Sequence, residues 1–346
     1  MCAGFFAYGC QVDTKTGKGA ASLIGKGVVN DPANKSLRFD MLTFGMKEFC
    51  SELMLRGAPL RLGDRQPVIG RYFANSCKTK VIDTIDKNTI VVQFGGHGYA
   101  WTAATGRLGF RSQGLLELAP DFIVREEAMY VYFRPVQVDT SDFELLMTER
   151  ILAQVAAGVA GVSEKELGQA IMTAQLGRGF TAIRYDEDGH ADFALGLVEP
   201  GDTPFRPYQV HSSPRHTAAN GRTELFRGQQ DFIGKILVEK GEALTLTLQV
   251  EGVNSIDFSL ISEQNAQPYL KEYLKKPGAH RPQVVPSYQS SASAKAPTRA
   301  QVSLPAGYYY LVLDHSSAWG ASTPDEKELP ARIDYLIQTG IPDKVR

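Results

Sequence analysis

The sequence predicts an α+β domain, an antiparallel sheet or partial barrel with packed helices, followed by a C-terminal β-sandwich. Three observations carry this. At 346 residues the chain is long enough for about two domains of roughly 150 residues each. Turn-separated β-rich runs fill Pro67 to Val138 and are flanked by stretches with helical spacing. From Thr223 onward, short alternating strands dominate.

The elements follow in order. Gln11 to Asn34 is rich in Gly, Lys, Ser and Thr, as a tether is. A helix is expected over about Asp40 to Arg56, because Met46, Phe49, Cys50 and Leu53 recur at three- and four-residue spacing. Asp40 serves as its N-cap and Gly57 as its stop. Strands then run through Val81-Ile82, Thr89 to Phe94, Leu115 to Val124 and Met129 to Val138, an antiparallel meander or a partly closed barrel. Ser141-Asp-Phe-Glu144 and Ser163-Glu-Lys-Glu166 are capping boxes, each expected to open one arm of a helical hairpin. Phe180 to Leu197 returns to strand, folded over at Asp186-Glu-Asp-Gly-His190. Pro204 to Arg222, rich in Pro, His and Ser, reads as a linker.

In the second domain Phe232 to Val238, Ala243 to Val250 and Ser255 to Ile261 alternate. Leu244, Leu246 and Leu248 share one face. Pro268 to Lys276 suits a short helix, and Pro277 to Pro297 reads as a mobile low-complexity insertion. Ala300 to Leu304, Tyr308 to Asp314 and Arg332 to Gln338 complete the module. The domain plan is therefore tether 1–34, α+β domain 35–203, linker 204–222 and β-sandwich 223–346 with insertion 277–297.

Composition narrows the functions. Apolar residues make up 43% and charged residues 22%, enough for real cores. The net charge is −1 with Lys and Arg scattered, which argues against a nucleic-acid surface with its basic stripe. No run approaches the 18 or so apolar residues of a membrane helix. Cys50 and Cys77 suit a disulfide that closes a medium loop, worth roughly 3 kcal/mol, and so point to an oxidising compartment.

Several stretches suggest chemistry, and each has a plainer account. Gly95, Gly96, His97, Gly98, Tyr99 and Trp101 would make an anion or ligand site if backbone amides were exposed beside His97. A glycine bend in a barrel strand explains the same residues. Asp186, Asp188 and Asp192 crowd a turn, yet no calcium-loop spacing is present. Asp314-His315-Ser316 juxtaposes triad residue types, but neighbouring strand residues point to opposite faces. His211 and His216 lie in the linker without a third ligand nearby, so no zinc is expected. No catalytic residue, metal site or cofactor is assigned. Tyr308, Tyr309 and Tyr310 must place rings on both faces of their strand, offering a recognition surface or packing against the other domain.

Two resemblances add expectations. Leu304-Pro-Ala-Gly-Tyr-Tyr-Tyr-Leu-Val-Leu-Asp314 resembles the strand signature of GOLD and bacterial pre-peptidase C-terminal β-sandwich modules. Cys2-Ala3-Gly4 resembles a lipidated mature terminus, and Ala7-Tyr8-Gly9 before Cys10 resembles the end of a lipoprotein signal, although Tyr8 is bulky for that position. Two stray thiols near a frayed end are the plainer account. The whole arrangement is similar to uncharacterised bacterial cell-envelope lipoproteins. It implies a periplasmic or outer-membrane location, with a cytoplasmic one as the alternative, and anchoring by N-terminal lipid only. The expected function is non-catalytic, binding or assembling with other envelope proteins. The alternatives are a lipid or small-ligand carrier, with its cavity inside the Pro67 to Val138 strands, and a hydrolase centred on His97.

Overall fold

A computed structural model describes residues 30–39, 49–55, 57–61, 66–84, 88–102, 106–125, 128–149, 164–185, 191–210, 215–281, 283, 285–319, 322, 324 and 330–342. Cys2, Cys10, the His190 turn and His211 lie outside them. The architecture is dominated by antiparallel sheet.

Seven strands form one curled, half-barrel sheet in sequence order: β1 (Ala58–Leu60), β2 (Gly70–Asp83), β3 (Asn88–Thr102), β4 (Gly106–Arg125), β5 (Ala128–Thr148), β6 (Phe180–Tyr185) and β7 (Ala191–Leu195). This is the meander expected from the turn spacing. β4 and β5 are far longer than the runs read from sequence, at 20 and 21 residues.

The extra length of β5 corrects one expectation. Ser141 to Glu144 does not open a helix; it is strand, paired with β4 at Phe143↔Ser112 and Glu144↔Arg111. The capping signature is local, whereas the residues after it alternate. Phe143 and Leu145 enter the core of the half-barrel, and Leu146 packs on the core of the second module. Burial on both faces of one strand outweighs a cap worth about 1 kcal/mol.

Helix α1 (Phe49–Leu55) is the described part of the first expected helix. Its Cys50 is bridged to Cys77 of β2 with Cα atoms 5.3 Å apart, fixing the helix to the sheet. Helix α2 (Glu164–Gly177) starts where the second capping box predicts and buries Met172 in the half-barrel core.

The second module has two four-stranded sheets arranged as in a sandwich. One runs β13-β10-β15-β8 and the other β12-β11-β14-β9. The strands are β8 (His216–Leu225), β9 (Gln229–Val238), β10 (Ala243–Glu251), β11 (Ser255–Ser262), β12 (Tyr288–Ser293), β13 (Thr298–Ser303), β14 (Gly307–His315) and β15 (Ala331–Gly340). Leu244, Leu246 and Leu248 are wholly buried, as the alternation requires. Helix α3 (Glu263–Tyr273) follows β11 directly and buries Ala266, Tyr269, Leu270 and Tyr273.

Three boundaries shift. Residues 216–222, read as linker, belong to β8, which pairs with β15 along its length. The Ser-rich insertion contains β12, paired with β11, and leads into β13. Ala292 is wholly buried, so a small residue at every second position is enough to cover the core there. Asn30, placed in the tether, bonds the backbone of Val124 through both side-chain atoms, at 2.9 and 2.8 Å.

The glycines of β3 serve packing. At Gly96 and Gly98 an added Cβ would lie 2.3 and 2.5 Å from the carbonyl oxygens of Phe73 and Arg71. The pairing shifts register between Ala74 and Ser76 directly opposite, the bulge that strand glycines predict.

The disulfide closes a loop of 27 residues. Its removal in a Cys50→Ser, Cys77→Ser double variant is expected to lower stability by about 3–4 kcal/mol, read from urea unfolding.

Candidate functional site

The two modules meet through a buried polar centre. β2 and β3 alternate between two cores: Tyr72, Ala74 and Ala100 face the half-barrel, while Phe73, Tyr99 and Trp101 join the core of the second module. On that second face Arg71 is almost fully buried and forms a bidentate pair with the wholly buried Asp231 of β9, at 2.7 and 2.8 Å. The Tyr99 hydroxyl donates to Asp231 Oδ1 (2.7 Å) and accepts from the Phe232 amide (2.7 Å). Arg71 also reaches the Tyr335 hydroxyl of β15 at 3.2 Å. Burial opposes the charge on Arg71, but Asp231, Tyr335 and Tyr99 together hold it well above the usual guanidinium range. Burial, with Asp231 next, raises the Tyr99 hydroxyl well above its ordinary value.

A second cation seals the other end of the junction. Arg107 of β4, wholly buried, lies 3.6 Å from the Tyr273 ring centroid. It donates to the carbonyl oxygens of Lys276 (2.6 Å) and Gly278 (3.1 Å), and pairs with Glu149 at 3.2 Å. Backbone bonds add to the seam, among them Val68 N to Arg222 O and Gly57 N to Gly234 O.

This arrangement fixes the fate of the residues singled out in the sequence. Tyr99 and Trp101 are core residues of the junction and line no open site. His97 is half-buried, its ring stacked 6.0 Å from Phe73. Burial and then Lys271 of α3 hold its pKa below the ordinary histidine value. Its Nε2 has no hydrogen-bond partner, and among the described residues no carboxylate or hydroxyl bonds the ring. Gly95, Gly96 and Gly98 are packed against β2 and leave no cradle of free amides. Among the three tyrosines only Tyr308 is exposed, beside the partly exposed Leu237 opposite it. Tyr309 and Tyr310 are both buried because the β9–β14 pairing shifts register between Tyr309 and Leu311. The recognition surface therefore reduces to one ring.

The triad-like run resolves as alternation predicts. His315 Nδ1 lies 3.0 Å from the Leu225 carbonyl oxygen, while Ser316 Oγ donates directly to Asp314 Oδ1 at 2.7 Å. Asp314 belongs instead to a buried polar row crossing the whole sheet: Ser291, Asp257, Asp314 and Gln230 pair in register on β12, β11, β14 and β9. Asp257 is held by Ser291 Oγ (2.6 Å) and the Ser322 amide (2.9 Å). Burial, opposed by the hydrogen bonds from Ser316 and Gln230 and reinforced by Asp257, raises Asp314 to about 7. Sequence reading missed this row, because its members share only a register.

A cleft of about 780 Å³ in the first module opens to solvent. β4 outruns β3, whose pairing ends at Leu118. The freed edge is taken by the segment 30–39: Asn30 bonds Val124, and Arg38 bonds the Phe122 carbonyl (2.6 Å) and the Asp121 carboxylate (2.5 Å) while stacking on Phe122 at 4.2 Å. Tyr132 and Arg134 of β5 and Leu197 to Pro200 also line the cleft. Tyr72, Phe94, Phe110, Leu118 and Phe143 pack together in the half-barrel core. The described residues do not gather three or more His, Cys, Asp or Glu side chains able to hold a metal ion, and no described helix is long and apolar enough to cross a membrane.

Two measurements check this account. Arg71→Met leaves the Asp231 carboxylate buried without its counter-charge, so a loss of about 3–5 kcal/mol is expected in urea unfolding. The second concerns pH. The folded state holds the Asp314 proton up to about pH 7, whereas an ordinary aspartate releases it near 3.8. This group's contribution to stability therefore falls as pH rises from about 4 to 7. Asp314→Asn removes that slope, and its stability relative to the parent is expected to rise by about 2 kcal/mol between pH 5 and pH 8.

No family model and no curated protein matches the sequence. Among solved structures, the infectious bursal disease virus Gx strain structure is 12% identical, covering 82% of this chain and 74% of that one, with a TM-score of 0.20. The structure of T=1 particles derived from infectious bursal virus is 11% identical, covering 82% and 79%, with a TM-score of 0.10. At these TM-scores the likeness carries no argument about fold or function.

Proposed function

We propose that this chain is a non-catalytic binding or assembly protein of the bacterial cell envelope, lipid-anchored through Cys2 or Cys10. In this reading the half-barrel sheet presents the binding surface and the C-terminal module, of GOLD or pre-peptidase type, is its scaffold. One observation carries the non-catalytic part. Arg71, Asp231 and Arg107 are committed to the junction and Asp257 and Asp314 to the Ser291–Gln230 row, and His97 stands apart from both. General acid–base or nucleophilic catalysis needs such groups within hydrogen-bond reach of one another in a cleft. The Cys50–Cys77 bridge supports an oxidising compartment.

A second reading, the small-ligand carrier, is favoured by the solvent-open cleft of about 780 Å³, which falls within the usual size of small-molecule sites.

Intact mass after expression in a bacterial envelope tests the location: acyl chains on the N-terminal segment and an oxidised Cys50–Cys77 pair are expected, and an unmodified, fully reduced chain overturns it. Generic esterase and peptidase substrates test the chemistry. No turnover by the parent protein is expected. Turnover that disappears in His97→Ala would establish the hydrolase instead.

A further inference from the structure

The cleft has an uneven chemistry. Lys35, Arg38 and Arg134 line it against Asp121 and Glu199, so one positive charge is in excess. Asp121 is already engaged by Arg38 and by its own chain's Phe122 amide at 2.8 Å. Its pairing with Arg134 is long, 3.5 Å, and both partners are about half exposed. Such a pair contributes little and re-aims readily. Arg134 also lies over the Tyr132 ring, 5.3 Å from its centroid.

Tyr132 supplies the second observation. Its side chain is 92% buried and lines the cleft, yet its hydroxyl has no hydrogen-bond partner. A buried donor without a partner is costly, a deficit that an incoming acceptor would relieve. Burial first, then Glu199 and Tyr130, push its pKa above the ordinary tyrosine value, so at neutral pH the hydroxyl keeps its proton and is a donor. Around these polar groups the walls are apolar: Phe39, Pro120, Ile123, Leu197 and Val198. Leu197 is exposed over somewhat less than half of its surface.

We propose that the cleft between Asn30–Phe39 and Tyr132–Arg134 binds a small organic carboxylate with an apolar body, its headgroup met by Arg134 and the Tyr132 hydroxyl. The proposal rests on the small-ligand reading and gives that ligand a headgroup charge. The excess cation selects an anion, the orphaned donor selects an oxygen acceptor, and the apolar walls take the body. Lys35, exposed at the rim, adds steering that weakens with salt.

Calorimetric titration of the full chain with octanoate and, separately, with octanol tests it. Saturable octanoate binding is expected, with octanol at least ten-fold weaker. Arg134→Ala, a change at a half-exposed strand position, is expected to weaken octanoate about ten-fold and leave octanol unchanged. Tyr132→Phe keeps the ring and is expected to give a smaller loss, shared by octanoate and octanol because either oxygen can accept from the hydroxyl. Octanol binding as tightly as octanoate would overturn the carboxylate assignment while the small-ligand reading stood. Binding of neither, by a parent protein with a cooperative unfolding transition, would remove both.

Discussion

Arg71 is a guanidinium held almost entirely out of water, and a buried charge is tolerated only where an opposite charge and full hydrogen bonding meet it. Asp231 of β9 and Tyr335 of β15 meet it here, and Tyr99 of β3 holds Asp231 in place. Satisfying one side chain thus sets the positions of four strands from two modules. It also decides which way the sheet faces. With Arg71 directed at the second module, Phe73 must follow it two residues on, and Tyr72 and Ala74 must enter the half-barrel. Slipping β2 by one residue would exchange those faces and bury the guanidinium among Phe94 and Phe110, without a counter-charge.

The same two-sidedness explains how much of the fold was legible. Where one face is buried and the other wet, as at Leu244 to Leu248 of β10, alternation announces the strand. Where both faces are buried, the pattern is lost. Ser141 to Thr148 has apolar residues on both sides of the strand, and the Ser-x-x-Glu spacing then looked like the start of a helix. β12 failed in the opposite sense. Its serines and alanines are so small that the sequence resembles a linker, yet pairing with β11 orders it. Strand glycines and the Cys50–Cys77 spacing encode local geometry and were readable for that reason.

The candidate site was less legible because its parts are far apart in the chain. Residues 30–39, 120–134 and 197–200 meet only because β4 runs on past the end of β3, a mismatch of strand lengths that no motif records. The eye-catching residues had the reverse problem. Gly95 to Trp101 is rich in chemistry on paper, but its aromatic members are consumed by the junction and its glycines by contact with β2. A polar or aromatic residue at a two-faced strand is more informative about the neighbouring module than about a ligand.

The division of Arg71's partners along the chain has a consequence for synthesis. A nascent chain that has emerged only as far as β7 carries Phe73, Tyr99, Trp101 and a cation whose counter-ion has not yet been translated. Asp231 follows 160 residues after Arg71, and Tyr335 264. The first module therefore leaves the ribosome with an aromatic face that its own polypeptide covers only once β9, α3 and β14 have followed. A chain stopped before β9 would leave that face uncovered and prone to aggregation.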